Sequence, residues 1–90
     1  MSIALPSSVT MQRASAVLDA LQPLLRDAPG PLVRLDASSV RELDTACIAI
    51  LLQCQRQVQA RGLRLVVDGV PTQLGALMTL YGVAELFGRS

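Results

Sequence analysis

The stretch that decides the fold is Leu43-Asp44-Thr45-Ala46-Cys47-Ile48-Ala49-Ile50-Leu51-Leu52. Asp44 suits the N-cap of a helix, because its carboxylate can accept hydrogen bonds from the free backbone N–H groups of a first turn. Thr45 follows where the helix dipole is positive. Seven apolar residues, 46–52, continue without a break until Gln53. This pattern predicts the start of a central helix.

The predicted helix runs from about Thr45 to Arg61 and ends at Gly62. At about 100° per residue it carries two opposite stripes. The stripe expected to face the core consists of Cys47, Leu51, Cys54 and Val58. The outward stripe consists of Thr45, Ala49, Leu52 and Arg56. Such an outward stripe fits a protein partner, with Leu52 and Arg56 as anchors. Alternatively, another element of the same fold covers Leu52.

The composition predicts one small globular domain. The chain has 90 residues, of which 51% are apolar and 17% charged, and this balance argues against disorder. Net charge is +1, and the arginines are scattered without a basic stripe, which argues against nucleic-acid binding. The sequence lacks both an apolar run of about 18 residues and a signal-peptide pattern, so we expect a cytoplasmic protein without direct membrane insertion.

Strands and helices alternate along the chain. The expected order is a short edge strand at Ile3–Leu5, a helix over 9–25, a strand at Leu32–Asp36, the central helix, a strand at Leu63–Val67, a helix from Pro71 to Tyr81 and a terminal turn at Val83–Phe87. Residues 37–43 are expected to form a loop. This alternation predicts an α/β fold with a small, mostly parallel sheet and helices packed on it.

The residues usually needed for catalysis or metal binding are sparse. The chain has no His and no Gly-rich phosphate loop, which removes the common general base and the common metal and nucleotide sites. Asp36, Asp44 and Asp68 could converge at the carboxyl edge of the sheet and hold Mg²⁺. The favoured interpretation is that Asp44 caps the helix and the other two end strands, so no cofactor or metal is expected.

The two cysteines, seven residues apart on one helix, lie about 10 Å apart along its axis, too far for a disulfide. Cys47 near a helix start could act as a nucleophile, but its place on the inward stripe favours an inert, buried thiol. Thr45 could accept a phosphate, which the helix start favours and the neighbouring Asp44 opposes. The alternative is an ordinary first-turn threonine.

Three segments resemble a known family, the STAS domain: residues 35–40, residues 43–46, and the helix ending at 60–62 before a strand at 63–66. The resemblance covers about Leu5 to Phe87, and its most specific part is the acidic residue followed by a hydroxyl at Asp44-Thr45. STAS domains include anti-sigma factor antagonists and the small cytoplasmic subunit of Mla-type phospholipid ABC transporters. Residues 80–83, Leu-Tyr-Gly-Val, look more like the Mla-type subunit.

The resemblance implies a binding module, not an enzyme. It implies an accessory subunit that binds the cytoplasmic ATPase of a phospholipid-transport complex involved in lipid asymmetry, peripheral to the inner membrane. The implied partner-binding residues are Thr45, Ala46, Ala49, Leu52, Gln53 and Arg56. The alternative is an anti-sigma factor antagonist switched by a partner kinase that phosphorylates Thr45.

The chain departs from the family pattern in two places. The family usually has Gly two residues after the hydroxyl, where this chain has Cys47, and this change is expected to affect how closely a partner backbone approaches. The amino-terminal strand region is also truncated to Ile3–Leu5. A truncated edge suggests a sheet completed by a partner, or a homodimer that pairs the edge.

Overall fold

The structure, a computed structural model, describes residues 2–86 and 88–89, with backbone alone at residues 85, 88 and 89. The strands are β1 (Ser2–Ala4), β2 (Ser8–Val9), β3 (Leu32–Asp36), β4 (Glu42–Leu43), β5 (Arg64–Asp68) and β6 (Gly88–Arg89). The helices are α1 (Ala14–Asp27), α2 (Thr45–Ala60) and α3 (Thr72–Leu80), with 3₁₀ turns at Met11–Arg13 and Ala84–Leu86. The turn expected over 83–87 is therefore present at 84–86, and Phe87 lies outside the described residues.

A four-stranded sheet has the order β1-β3-β5-β6, and all its neighbouring strands are parallel. The register aligns Asp36 with both Ala4 and Asp68, so the two acidic strand ends are neighbours at the carboxyl edge. β3, α2 and β5 form the βαβ unit that the alternation predicts. The predicted α/β class with a parallel sheet and a short edge strand is confirmed.

A separate two-stranded ribbon pairs β2 with β4, also in parallel. The expectation of a loop over residues 37–43 is therefore wrong at its end, because Glu42–Leu43 pairs with Ser8–Val9. The carbonyl of Ser7 also accepts a hydrogen bond from the N–H of Arg41 at 2.7 Å. This ribbon holds the segment that leads directly into α2.

One hydrophobic core lies between the helices and one face of the sheet. The strand side chains buried in it are Val33, Leu35, Leu65 and Val67. The helix side chains buried in it include Val17, Leu21 and Leu25 of α1, Cys47, Leu51, Cys54 and Val58 of α2, and Leu74 and Met78 of α3. Each buried aliphatic side chain contributes about 1.5–3 kcal/mol, so this layer dominates the stability. The predicted inward stripe of α2 is confirmed.

The carboxyl end of the central helix follows from local chemistry. α2 ends at Ala60, and the next turn is closed by hydrogen bonds from the N–H of Gly62 to the carbonyl of Gln59 and from the N–H of Leu63 to the carbonyl of Val58, both 2.9 Å. Gly62 has φ of 75°, which is the left-handed C′ conformation expected of it. α3 starts one residue later than expected, with Pro71 preceding its first turn.

Gly62 and Gly69 both have positive φ, but only Gly69 is crowded. A Cβ on Gly69 would lie 2.9 Å from the Cβ of Ser38 and 3.2 Å from its backbone nitrogen, whereas a Cβ on Gly62 would meet nothing within 4 Å. We expect Gly69→Ala to lower the free energy of unfolding by about 2–3 kcal/mol and Gly62→Ala by about 1 kcal/mol. Urea unfolding measures both, and equal losses would contradict the close packing of the loops after β3 and β5.

Candidate functional site

The carboxylate of Asp44 builds the start of α2. Asp44 has an extended backbone, with φ of −142° and ψ of −165°, and its Oδ1 accepts a hydrogen bond from the N–H of Ala46 at 2.9 Å. Its carbonyl accepts a second bond, from the N–H of Cys47 at 3.0 Å. Asp44 is therefore an N-cap, and it satisfies donors of the first turn that would otherwise need water or a ligand.

The same carboxylate also holds a second helix start. The Oδ2 atom of Asp44 accepts a hydrogen bond from the backbone N–H of Met11 at 3.1 Å, across 33 residues of sequence. Met11 opens the 3₁₀ turn that leads into α1. One side chain therefore links the starts of α1 and α2. Sequence reasoning missed this contact, because no local pattern connects two residues so far apart.

The structure places most of the predicted partner-binding residues on one surface of α2. Thr45, Ala49, Gln53 and Arg56 are exposed, and Leu52 is half-buried. Leu52 also packs against the core, so the fold itself covers part of this side chain. Ala46 is only 8% exposed and lies inside. We define the docking face as Thr45, Ala49, Leu52, Gln53 and Arg56.

Met11 extends the surface beside the docking face. Its side chain is 71% exposed, although it falls within the helix expected over residues 9–25. It lies on the rim of an open groove that also contains Ser8, Thr10, Gln12, Arg13, Glu42 and Asp44. Because the 3₁₀ turn begins before α1, Met11 does not share the burial of Val17 and Leu21. The groove adds polar and charged groups next to the first turn of α2.

Both cysteines are fully buried in the core. Burial, reinforced by the charge of Asp44, raises the pKa of Cys47 to about 11. Burial also raises the pKa of Cys54 to about 12. A neutral buried thiol is a poor nucleophile. The side chain of Cys47 therefore lies within the core and not on the docking face.

The three candidate acidic ligands have separate structural partners. Asp36 accepts hydrogen bonds from the side chain and the backbone N–H of Ser38, which lower the pKa of its carboxyl group. Asp68 pairs with the guanidinium of Arg34 at 3.1 Å. Asp44 caps α2. Within residues 2–86 and 88–89, no group of three or more His, Cys, Asp or Glu side chains is placed to hold a metal ion.

No helix in the described part of the chain is both long enough and apolar enough to cross a membrane. The longest, α2, has 16 residues and carries the charged Arg56.

Comparison with known proteins gives a family and a fold. A family model described as "Mlab, STAS domain" matches residues 1–88 of this chain. The crystal structure of a sulfate transporter family protein from Wolinella succinogenes is similar, with a TM-score of 0.75 at 21% sequence identity. The alignment covers 97% of this chain and 70% of that chain. At this identity the likeness shows the fold alone. No curated protein matches the chain.

Asp44→Asn separates the two roles of the carboxylate. Asn is also a good N-cap, so its amide oxygen can still accept from the N–H of Ala46. The amide nitrogen then replaces the acceptor that faces Met11 and leaves that N–H without a partner. We expect amide hydrogen exchange at Met11 to accelerate at least about tenfold, with exchange at Ala46 nearly unchanged. Asp44→Ala should accelerate both, and unchanged exchange at Met11 in Asp44→Asn would contradict the link.

The native thiols should react slowly. With a pKa of about 11, roughly one Cys47 side chain in a thousand is ionised at pH 8, and the closed core blocks access to it. Alkylation by iodoacetamide at pH 8, followed by intact mass, should give almost no adduct in buffer and two adducts in urea. Rapid labelling of one thiol in the folded protein would contradict this burial and would support Cys47 as a nucleophile.

Proposed function

The chain belongs to the STAS domain family, and we propose that it is a non-catalytic accessory subunit of a phospholipid-transport ABC complex. It binds the cytoplasmic ATPase of that complex through the docking face of α2. The protein stays in the cytoplasm and reaches the inner membrane only through the transporter. The observation that carries this proposal is an exposed docking face on a capped helix, in a chain whose matching family model names Mlab.

The shape of the docking face supports protein binding. Thr45 and Ala49 are small and exposed, so a partner backbone can approach the first turns of α2 closely. Arg56 lies 11 positions beyond Thr45, about 16 Å further along the axis, and supplies a charged anchor. Leu52 lies between them and adds apolar area at the margin of the core.

The chemistry of the described residues supports a non-catalytic role. The chain has no His, both thiols are buried, and the acidic residues at the sheet edge and the helix start are engaged in structural hydrogen bonds. Such a module acts by binding a partner protein, and its affinity depends on how well the two surfaces fit each other.

The second candidate is an anti-sigma factor antagonist, and the exposure of Thr45 favours it. The Thr45 hydroxyl lies at the helix start, where backbone donors and the dipole favour a phosphate. The adjacent Asp44 already uses both carboxylate oxygens, so a phosphate on Thr45 would add like charge beside it. Phosphorylation would therefore change the charge of the docking face at its first residue.

Ala49→Asp tests the docking face without touching the core. Ala49 is exposed, so the fold tolerates the substitution, whereas Leu52→Asp would place a charge on a side chain that packs against the core. A carboxylate left unpaired inside an interface costs about 2 kcal/mol or more, which is over tenfold in affinity. The matched control is Ala20→Asp, the same change at an exposed position of α1.

The measurement is affinity capture from detergent-solubilised native cells, quantified by mass spectrometry. We expect an ABC ATPase and its permease to be captured by the wild type and by Ala20→Asp, and depleted more than about tenfold with Ala49→Asp. Equal capture by all three would contradict the docking face. Capture of a protein kinase without any permease would replace the transporter role with the anti-sigma antagonist role.

A further inference from the structure

The sheet face opposite the helices is uncovered in the part of the chain that the structure describes. Parallel register arranges its side chains in three rows across the strands. The first row contains Leu32 and Arg64, the middle row Ser2, Arg34 and Val66, and the last row Ala4, Asp36 and Asp68. All of these are half-buried or exposed, and Leu32 is 40% exposed. Parallel sheets are usually covered on both faces, so this open face is unusual.

The charges on the open face are separated along the strands. Arg64 is exposed at the beginning of β5, whereas Asp36 and Asp68 lie at the ends of β3 and β5. The two ends are four residues apart, or about 13 Å. Arg34 in the middle row is paired with Asp68 at 3.1 Å. The charges of Arg34 and Asp68 offset each other, so the face carries positive charge at one end, from Arg64, and negative charge at the other end, from Asp36.

We propose that this open face is the interface of a weak homodimer in which two copies pack sheet against sheet with antiparallel strands. The two-fold axis lies midway between the sheets, parallel to their planes and perpendicular to the strands. It places the first row of one copy over the last row of the other. The row that carries Arg64 in each copy then lies over the row that carries Asp36 in the second copy. Packing with parallel strands would instead place like charges opposite each other, so the charge pattern selects the antiparallel arrangement.

The size of the face limits the strength of the dimer. Two strands of five residues and one of three, about 4.8 Å apart, cover at most about 14 by 16 Å, or roughly 220 Å² in projection per copy. This area is below that of stable specific interfaces, so we expect weak association, with a dissociation constant of about 100–500 µM. The docking face lies on the helical side of the sheet, so this dimer does not depend on the proposed function and does not block partner binding.

The test is sedimentation velocity over about 10–500 µM protein. We expect the wild type to move from monomer to dimer, and both Arg64→Asp and Asp36→Arg to weaken self-association by about tenfold or more, because each puts like charges in contact. An equimolar mixture of the two variants should recover association, since each variant then meets the opposite charge. Arg26→Asp, on α1 and away from the sheet, is the matched charge-reversal control and should associate like the wild type.

Circular dichroism and urea unfolding of each variant confirm that the charge reversals leave the fold intact. Three results would overturn the proposal: a wild type that stays monomeric throughout the range, single variants that associate as well as the wild type, or folded variants whose mixture fails to recover association. Recovery in the mixture is the most demanding result, because general loss of stability in either variant cannot produce it.

Discussion

Burial of one stripe of α2 against one face of the sheet is the constraint on which the rest of the structure depends. The four residues of this stripe have no exposed surface: Cys47, Leu51, Cys54 and Val58. Their burial sets the rotation of the helix about its own axis, and so decides that Thr45, Ala49 and Arg56 face outward. The other two helices lie on the same side of the sheet, because the parallel strands follow one another in the order β1-β3-β5-β6 and crossover connections are right-handed.

Asp44 fixes the positions of two helix starts, which the packing of apolar side chains alone does not determine. Apolar packing is non-directional, whereas the two carboxylate oxygens of Asp44 specify the positions of two backbone N–H groups. The first turn of α2 and the turn that starts at Met11 therefore share one anchor. The surface around Thr45 is therefore built from two helix starts.

The sequence alone is enough to predict the elements that have a strong local signal. The bounds of α2, the cap at Asp44, the left-handed Gly62 and the inward stripe all follow from periodicity and turn chemistry. The ribbon of β2 and β4 could not be predicted, because strands of two residues carry no alternation. The family pattern placed Ala46 at the partner surface, but about 100° of rotation from Thr45 carries it into the core margin, where it is 8% exposed.

The parallel pairing of the described strands has a consequence for the order of folding. Ser2 pairs with Arg34, and Leu32 with Arg64, each across 32 positions of sequence, so no described strand pair can close as a local hairpin. Loop closure must therefore precede sheet formation, which places this domain among the slower folders for its length. The strands β3 and β5 pair over five positions, against three for β1 with β3 and two for β5 with β6, and α2 joins them, so this unit is the natural nucleus. The edge strands β1 and β6 add to it afterwards, which leaves them the last parts of the sheet to gain protection.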